Sequence, residues 1–196
     1  MRAGERDGGF TLTEVMVTMS ILALFLASAT GGILSLYRTT DKTQAIADAQ
    51  QQLGIAFNRL DREVRYSSGI STAAFVGSDP YVEFLTTYTG SPVCTQLRLR
   101  TATRQLQQRS WTQSTGTITP SVWTVLANGV TTTSQPFTVA IADPTLNFQR
   151  LTVVLTVAAG GASGSGTRNF TAMFTSLNTS LNTDSSAACA EGRSLS

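Results

Sequence analysis

One carboxylate, Glu14, stands at the head of an otherwise uncharged apolar run, and that position asks for a partner. Val15 to Tyr37 hold no acid and no base, a length that suits a bilayer-spanning helix, which needs roughly 20 residues. An ionisable group inside such a segment costs about 2.5–3.5 kcal/mol at mid-bilayer on insertion scales. An acid kept there answers to a counter-charge. The residues just before it are Gly9-Phe10-Thr11-Leu12-Thr13. A cut between Gly9 and Phe10 would free an α-amine about one helical turn from Glu14. The carboxylate could then meet an amine, either its own or that of a neighbouring copy.

Other chemistry finds little to stand on. The chain has no histidine, so neither a Ser-His-Asp nor a Cys-His nucleophile system can be built. Metal ligation would fall to scattered carboxylates and two distant cysteines, without CxxC or HExxH spacing. Asp79, Glu83 and Asp143 could be nominated as acids for glycoside hydrolysis, but no spacing selects them, and three surface acids explain them better. The glycine-rich segment from Gly160 to Gly166 lacks the Gly-Lys-Ser/Thr ending of a phosphate-binding loop and reads as a flexible connection. Arg98, Arg100, Arg104 and Arg109 lie near Trp111, a combination able to hold phosphates and stack on bases. A solvent-facing strand kept soluble by its arginines is the favoured explanation, and DNA the weaker candidate partner. No enzyme, cofactor or metal is expected.

The elements that must carry Glu14 follow from periodicity. After Arg38 the apolar run becomes amphipathic. Ile46, Ala49, Leu53, Ala56, Phe57, Leu60 and Val64 recur at helical steps on one face, with Asp48, Gln51, Gln52, Arg59, Asp61, Arg62 and Arg65 on the other. Asp61 and Arg65 stand four apart with the acid first, the favourable order. One long helix from about Thr11 to Tyr66 is expected, ended by Ser67-Ser68-Gly69. Beyond residue 70 the period falls to two. Strands are expected over residues 81–85, 94–101, 105–111, 122–126, 137–141, 151–157 and 170–177, with a turn at Asn128-Gly129. The fold class is α+β: a long N-terminal helix, apolar then amphipathic, packed on an antiparallel β-sheet domain.

Composition fits one globular region plus a membrane helix: 196 residues, 41% apolar, 13% charged, formal net charge +2. So small a charge announces no polyanion partner. Serine and threonine replace charge as the solvating groups, a common look for extracytoplasmic β-rich domains. Cys94 and Cys189 are the only cysteines. Outside the cytoplasm they could form a disulfide tying the C-terminal tail to the middle of the domain; two separate thiols are the alternative.

Gly9-Phe10-Thr11-Leu12-Thr13-Glu14-Val15, with a short polar leader before and a long apolar helix after, resembles the class III signal of type IV pilins and pseudopilins. The resemblance implies a prepilin peptidase as partner, cutting after Gly9 and methylating Phe10. It also implies Glu14 as the assembly acid that pairs with the N-terminus of an adjacent subunit. The leader departs from the family in lacking net positive charge, since Arg2 and Arg6 balance Glu5 and Asp7. No proline precedes Pro80 to kink the membrane helix, and Gly31-Gly32 stands where such a break would fall. The segment from Leu53 to Arg65 is similar to minor pilins and pseudopilins of the J and W classes, with looser likeness at Gln96–Leu99, Gln105–Arg109 and Leu126–Val130.

The implied organisation is a leader at 1–9, a transmembrane or fibre-core helix at 10–37, an amphipathic half at 38–68 and an extracytoplasmic β-rich region at 69–196. The implied function is a minor subunit that helps initiate or cap a type IV pilus-like or type II secretion fibre. It would start in the inner membrane, keep other pilin-type subunits as partners, and end at the cell surface. Two rivals remain. One is a secreted β-rich binding protein with an ordinary signal peptide cleaved after Ala29, at Ala27-Ser28-Ala29. The other is a single-pass anchored binding module that never polymerises.

Overall fold

A computed structural model describes residues 9, 11–88, 90–114, 116–132, 134–158, 167–186 and 188–195. The leader before Gly9, Phe10, and the expected loop from Gly160 to Gly166 lie outside the described residues. The chain divides into two compact units, Met1–Thr43 and Gln44–Ser196.

Helix α1 runs from Leu12 to Arg65. It passes through Gly31 and Gly32 without interruption, although each glycine costs about 1 kcal/mol relative to alanine in a helix interior. Within the second unit its buried stripe is Ala49, Leu53, Ala56, Leu60 and Val64. Phe57 lies at the margin, edge-on to Phe174 at 5.9 Å. Ile46 is only half-buried, so the stripe begins one turn later than its sequence pattern indicates. The opposite side carries the Asp61–Arg65 pair at 2.7 Å, and beside it Arg59–Glu63 at the same distance. Terminal carbonyls of the helix find donors outside it: Val64 O takes the Ser67 hydroxyl, and Arg65 O takes the Leu177 amide. These bonds satisfy groups that a helix end otherwise leaves open.

The strands build two antiparallel sheets rather than the single sheet expected. The first orders β1 (Ser67–Ile70), β3 (Asp79–Thr86), β4 (Val93–Arg100), β5 (Gln105–Thr112) and β6 (Thr124–Asn128), with β2 (Ala74–Val76) also on β3. The second centres on β9 (Arg150–Ala158), flanked on one side by β10 (Thr167–Thr175). On its other side β9 pairs with β7 (Val130–Thr131) and β8 (Phe137–Ala140). The chain changes sheet at Asn128-Gly129, where Gly129 takes φ +69°, a conformation glycine adopts without steric cost. β1, β2 and β7 have no counterpart among the expected strands. Each is too short for alternation to register, and β1 is made from the Ser-Ser-Gly segment that reads as a stop signal, with an irregularity between Ser67 and Gly69.

One apolar core joins the helix to both sheets. Leu53, Leu60 and Val64 meet Val82, Phe84, Leu97, Leu99 and Leu106 from the first sheet, and Phe137, Leu151, Val153, Leu155 and Phe174 from the second. Burying each such side chain contributes about 1.5–3 kcal/mol. The alternation Leu97-Arg98-Leu99-Arg100 is real: both leucines enter this core. Its consequence for the arginines differs from the expectation, as described next.

Candidate processing and assembly site

Thr11 starts α1. The amide of Glu14 donates to the Thr11 carbonyl at 3.1 Å and to its Oγ1 at 3.3 Å. Thr11-Leu12-Thr13-Glu14 therefore has the spacing of a capping box, and Glu14 is the acid of the first turn, at the positive end of the helix dipole. Gly9 lies outside the helix and is exposed, as is Glu14.

The residues that follow make this more than an ordinary cap. An apolar window within α1 is long enough to cross a membrane, and none of it is buried in the protein. Leu12, Leu24 and Leu36 are 78%, 74% and 69% exposed. So large an exposed apolar surface needs lipid or other helices around it. Three hydroxyls in the run are turned inward on the helix itself. Thr18, Ser20 and Ser28 donate to the carbonyls of Val15, Met16 and Phe25 at 2.8–2.9 Å. Polar groups satisfied within one segment suit a medium that offers no hydrogen bonds. Glu14 is left as the ionisable group of that stretch.

The arginine cluster is not a solvent-facing array. Arg98 and Arg109 are 8% and 7% exposed, on the face of β4 and β5 turned away from the apolar core. Arg98 donates from Nε to Gln107 Oε1 at 2.8 Å. Arg109 donates from Nε to Gln96 Oε1 at 2.8 Å and from Nη2 to the Gly192 carbonyl at 2.7 Å. Both guanidinium groups stack on Trp123, 3.8 and 4.3 Å from the ring centroid. Trp123, not Trp111, is the aromatic partner of the cluster. Burial lowers the Arg109 pKa from its ordinary value, Tyr81 and Glu83 raise it and Arg98 lowers it further. Only Arg100 and Arg104 of the four remain exposed.

Glu83 is not a surface acid either; it is wholly buried. Its carboxylate accepts from Ser71 Oγ at 2.6 Å, from Gln96 Nε2 at 2.8 Å, and from both Nε and Nη2 of Arg193. Asp79 and Asp143 have separate local tasks, accepting from the Thr101 amide at 2.9 Å and the Thr145 amide at 2.7 Å. Asp79, Glu83 and Asp143 therefore each bond to separate partners. The Glu83 cluster was missed from the sequence because its cation lies in the C-terminal tail, 110 residues away.

Cys94 and Cys189 are joined, with Cα atoms 5.6 Å apart and S–S 2.00 Å. They pack with Trp111, whose Nε1 donates to Glu191 Oε1 at 3.1 Å. The two sulfurs and a Glu191 oxygen lie within 4.8 Å of one another, but sulfurs bonded to each other offer no thiolate to a metal.

Residues 6–30 match the prokaryotic N-terminal methylation motif. That match spans Gly9, Phe10, Glu14 and the apolar run as far as Thr30, and it supports a type IV pilin-type precursor. Neither a curated protein nor a solved structure matches the chain. The motif together with an apolar N-terminal helix is compatible with membrane anchoring followed by a place in a surface fibre.

Proposed function

We propose that the chain is a precursor subunit of a type IV pilus-like or type II secretion fibre. Prepilin peptidase cuts between Gly9 and Phe10 and methylates the new terminus. Residues 10–37 hold the subunit in the inner membrane, and Glu14 then meets the Phe10 amine of a neighbouring subunit as helices pack into the fibre. A buried ion pair of this kind fixes register more than it adds net stability. One observation carries the reading: the methylation motif sits at the head of an apolar helix with no burial inside its own protein.

The subunit's place is that of a minor component of the J or W class, starting or capping the fibre with sibling subunits. The uninterrupted apolar helix without proline and the Leu53–Arg65 segment support that finer reading. Co-expression with a candidate assembly system tests both levels. A minor subunit appears in sheared fibres at a small fraction of the major one, and its deletion abolishes fibre formation. Abundance equal to the major subunit contradicts the minor role and leaves the precursor assignment standing.

A further inference from the structure

We propose that the hollow beside the C-terminal end of α1, lined by Arg59, Arg62, Glu63, Tyr66 and Tyr88, docks an acidic side chain carried on an extended segment of a partner protein. This goes beyond the fibre assignment and does not depend on it. The hollow measures about 370 Å³. Arg59, Arg62 and Glu63 stand at helical spacing on one face of α1, and Tyr66 follows directly after its last residue. Tyr88 comes from the turn after β3, and its ring centroid lies 5.4 Å from that of Tyr66. The two rings are 50% and 66% exposed for Tyr66 and Tyr88.

The end of α1 is where this chain concentrates its charge. Only 13% of all residues are charged, yet Arg59, Asp61, Arg62, Glu63 and Arg65 are five of the seven from 59 to 65. Four of these cancel in pairs, Arg59 with Glu63 and Asp61 with Arg65. Arg62 is exposed and makes no hydrogen bond or ion pair among the described residues. Glu63 does not compete for it. Its Oε1 accepts from Arg59 Nε at 2.7 Å, and its Oε2 accepts from Nε2 of the buried Gln108. The site therefore carries one uncompensated positive charge.

A free guanidinium beside two exposed rings selects its ligand. A carboxylate matches the guanidinium fork with two parallel N–H···O bonds. Tyrosine rings supply rigid contact area at little entropic cost, and tyrosine and arginine are the residues that most often anchor protein–protein contacts. A nucleic-acid strand needs a row of cations to follow its phosphates. Here one cation is free and an acid lines the same hollow. An isolated acidic side chain with an aromatic neighbour fits that arrangement better than a polyanion.

The test titrates the full-length chain, in detergent micelles and with carbon-13 in its tyrosine rings, with a blocked Gly-Glu-Phe-Gly peptide. The chain has four tyrosines, so the ring spectrum reports the site and carries its own controls. The Tyr66 and Tyr88 signals should move together and saturably, while those of Tyr37 and of the buried Tyr81 stay. A blocked Gly-Gln-Phe-Gly peptide should bind roughly tenfold more weakly, and R62Q should weaken the glutamate peptide by the same factor. R168Q, which removes an exposed charge on β10, should leave binding within about twofold. R62Q removes no internal bond, and an unmoved Tyr81 signal checks that it folds. Equal binding of the two peptides, an R62Q constant equal to that of the unmodified chain, or no movement of Tyr66 and Tyr88 overturns the proposal. A short thymidine oligomer that moves the same two signals at lower concentration than the peptide also overturns it, in favour of a nucleic-acid strand.

Discussion

At the residue scale the proposed assembly role of Glu14 is separable from its place in the first turn of α1, and a pair of substitutions tells them apart. Its position three residues after Thr11 has the spacing of a capping box, which glutamine fills as well. As a counter-ion for a free amine it must carry charge. Glu14→Gln and Glu14→Ala should both leave the subunit in the membrane fraction and both abolish its recovery in sheared fibres. Recovery of the Gln variant at normal levels would mean that Glu14 serves only as a cap. Gly192 is the second residue with a sharp requirement, since a Cβ there would sit 2.3 Å from Trp111 Cη2. Gly192→Ala must displace either the indole ring or the C-terminal segment that carries it. A loss of about 1–3 kcal/mol, the usual range for overpacking, should appear in denaturant unfolding of the oxidised chain.

At the scale of elements, α1 is one helix under two regimes, and its substitutions should divide accordingly. Leu60 is fully buried in the core shared with both sheets, so Leu60→Ala should cost about 2–5 kcal/mol in chemical unfolding. The Asp61–Arg65 pair is close to half exposed on both sides. Asp61→Ala should change stability by less than about 1 kcal/mol, with the difference shrinking as salt is added. Helix period and charge spacing were both readable in the residues, because an amphipathic stripe of five turns leaves a long record. The β region was less open. Its long strands announced themselves by alternation, but β1, β2 and β7 have four residues or fewer. The division into two sheets is likewise a matter of which strands pair, and residue period does not encode pairing.

At the scale of the whole molecule, alternation misled in one instructive place. The polar sides of β3, β4 and β5 pass for a solvated face, since Gln96 and Arg98, and likewise Gln107 and Arg109, fall at alternate positions on the same face as Glu83. They are buried instead, beneath Trp123 and a strap that returns from the end of the chain. No local pattern could reveal that cover, because period tells which face a residue lies on and not what returns to lie over it. The wide spacing of two cysteines was the available hint of a returning tail. The bond closes a separation of 95 residues, worth about 4–5 kcal/mol in the chain-entropy model. Replacing both cysteines by serine should lower stability by an amount of that order, measured against the oxidised chain.

The central claim concerns the other end of the protein, and the intact mass of the mature chain tests it most directly. Isolated from cells that carry the assembly machinery, the chain should begin at Phe10 and bear one added methyl group on its terminal nitrogen. A mature chain that retains Met1 in a working assembly, or one that begins at Thr30, would contradict the account.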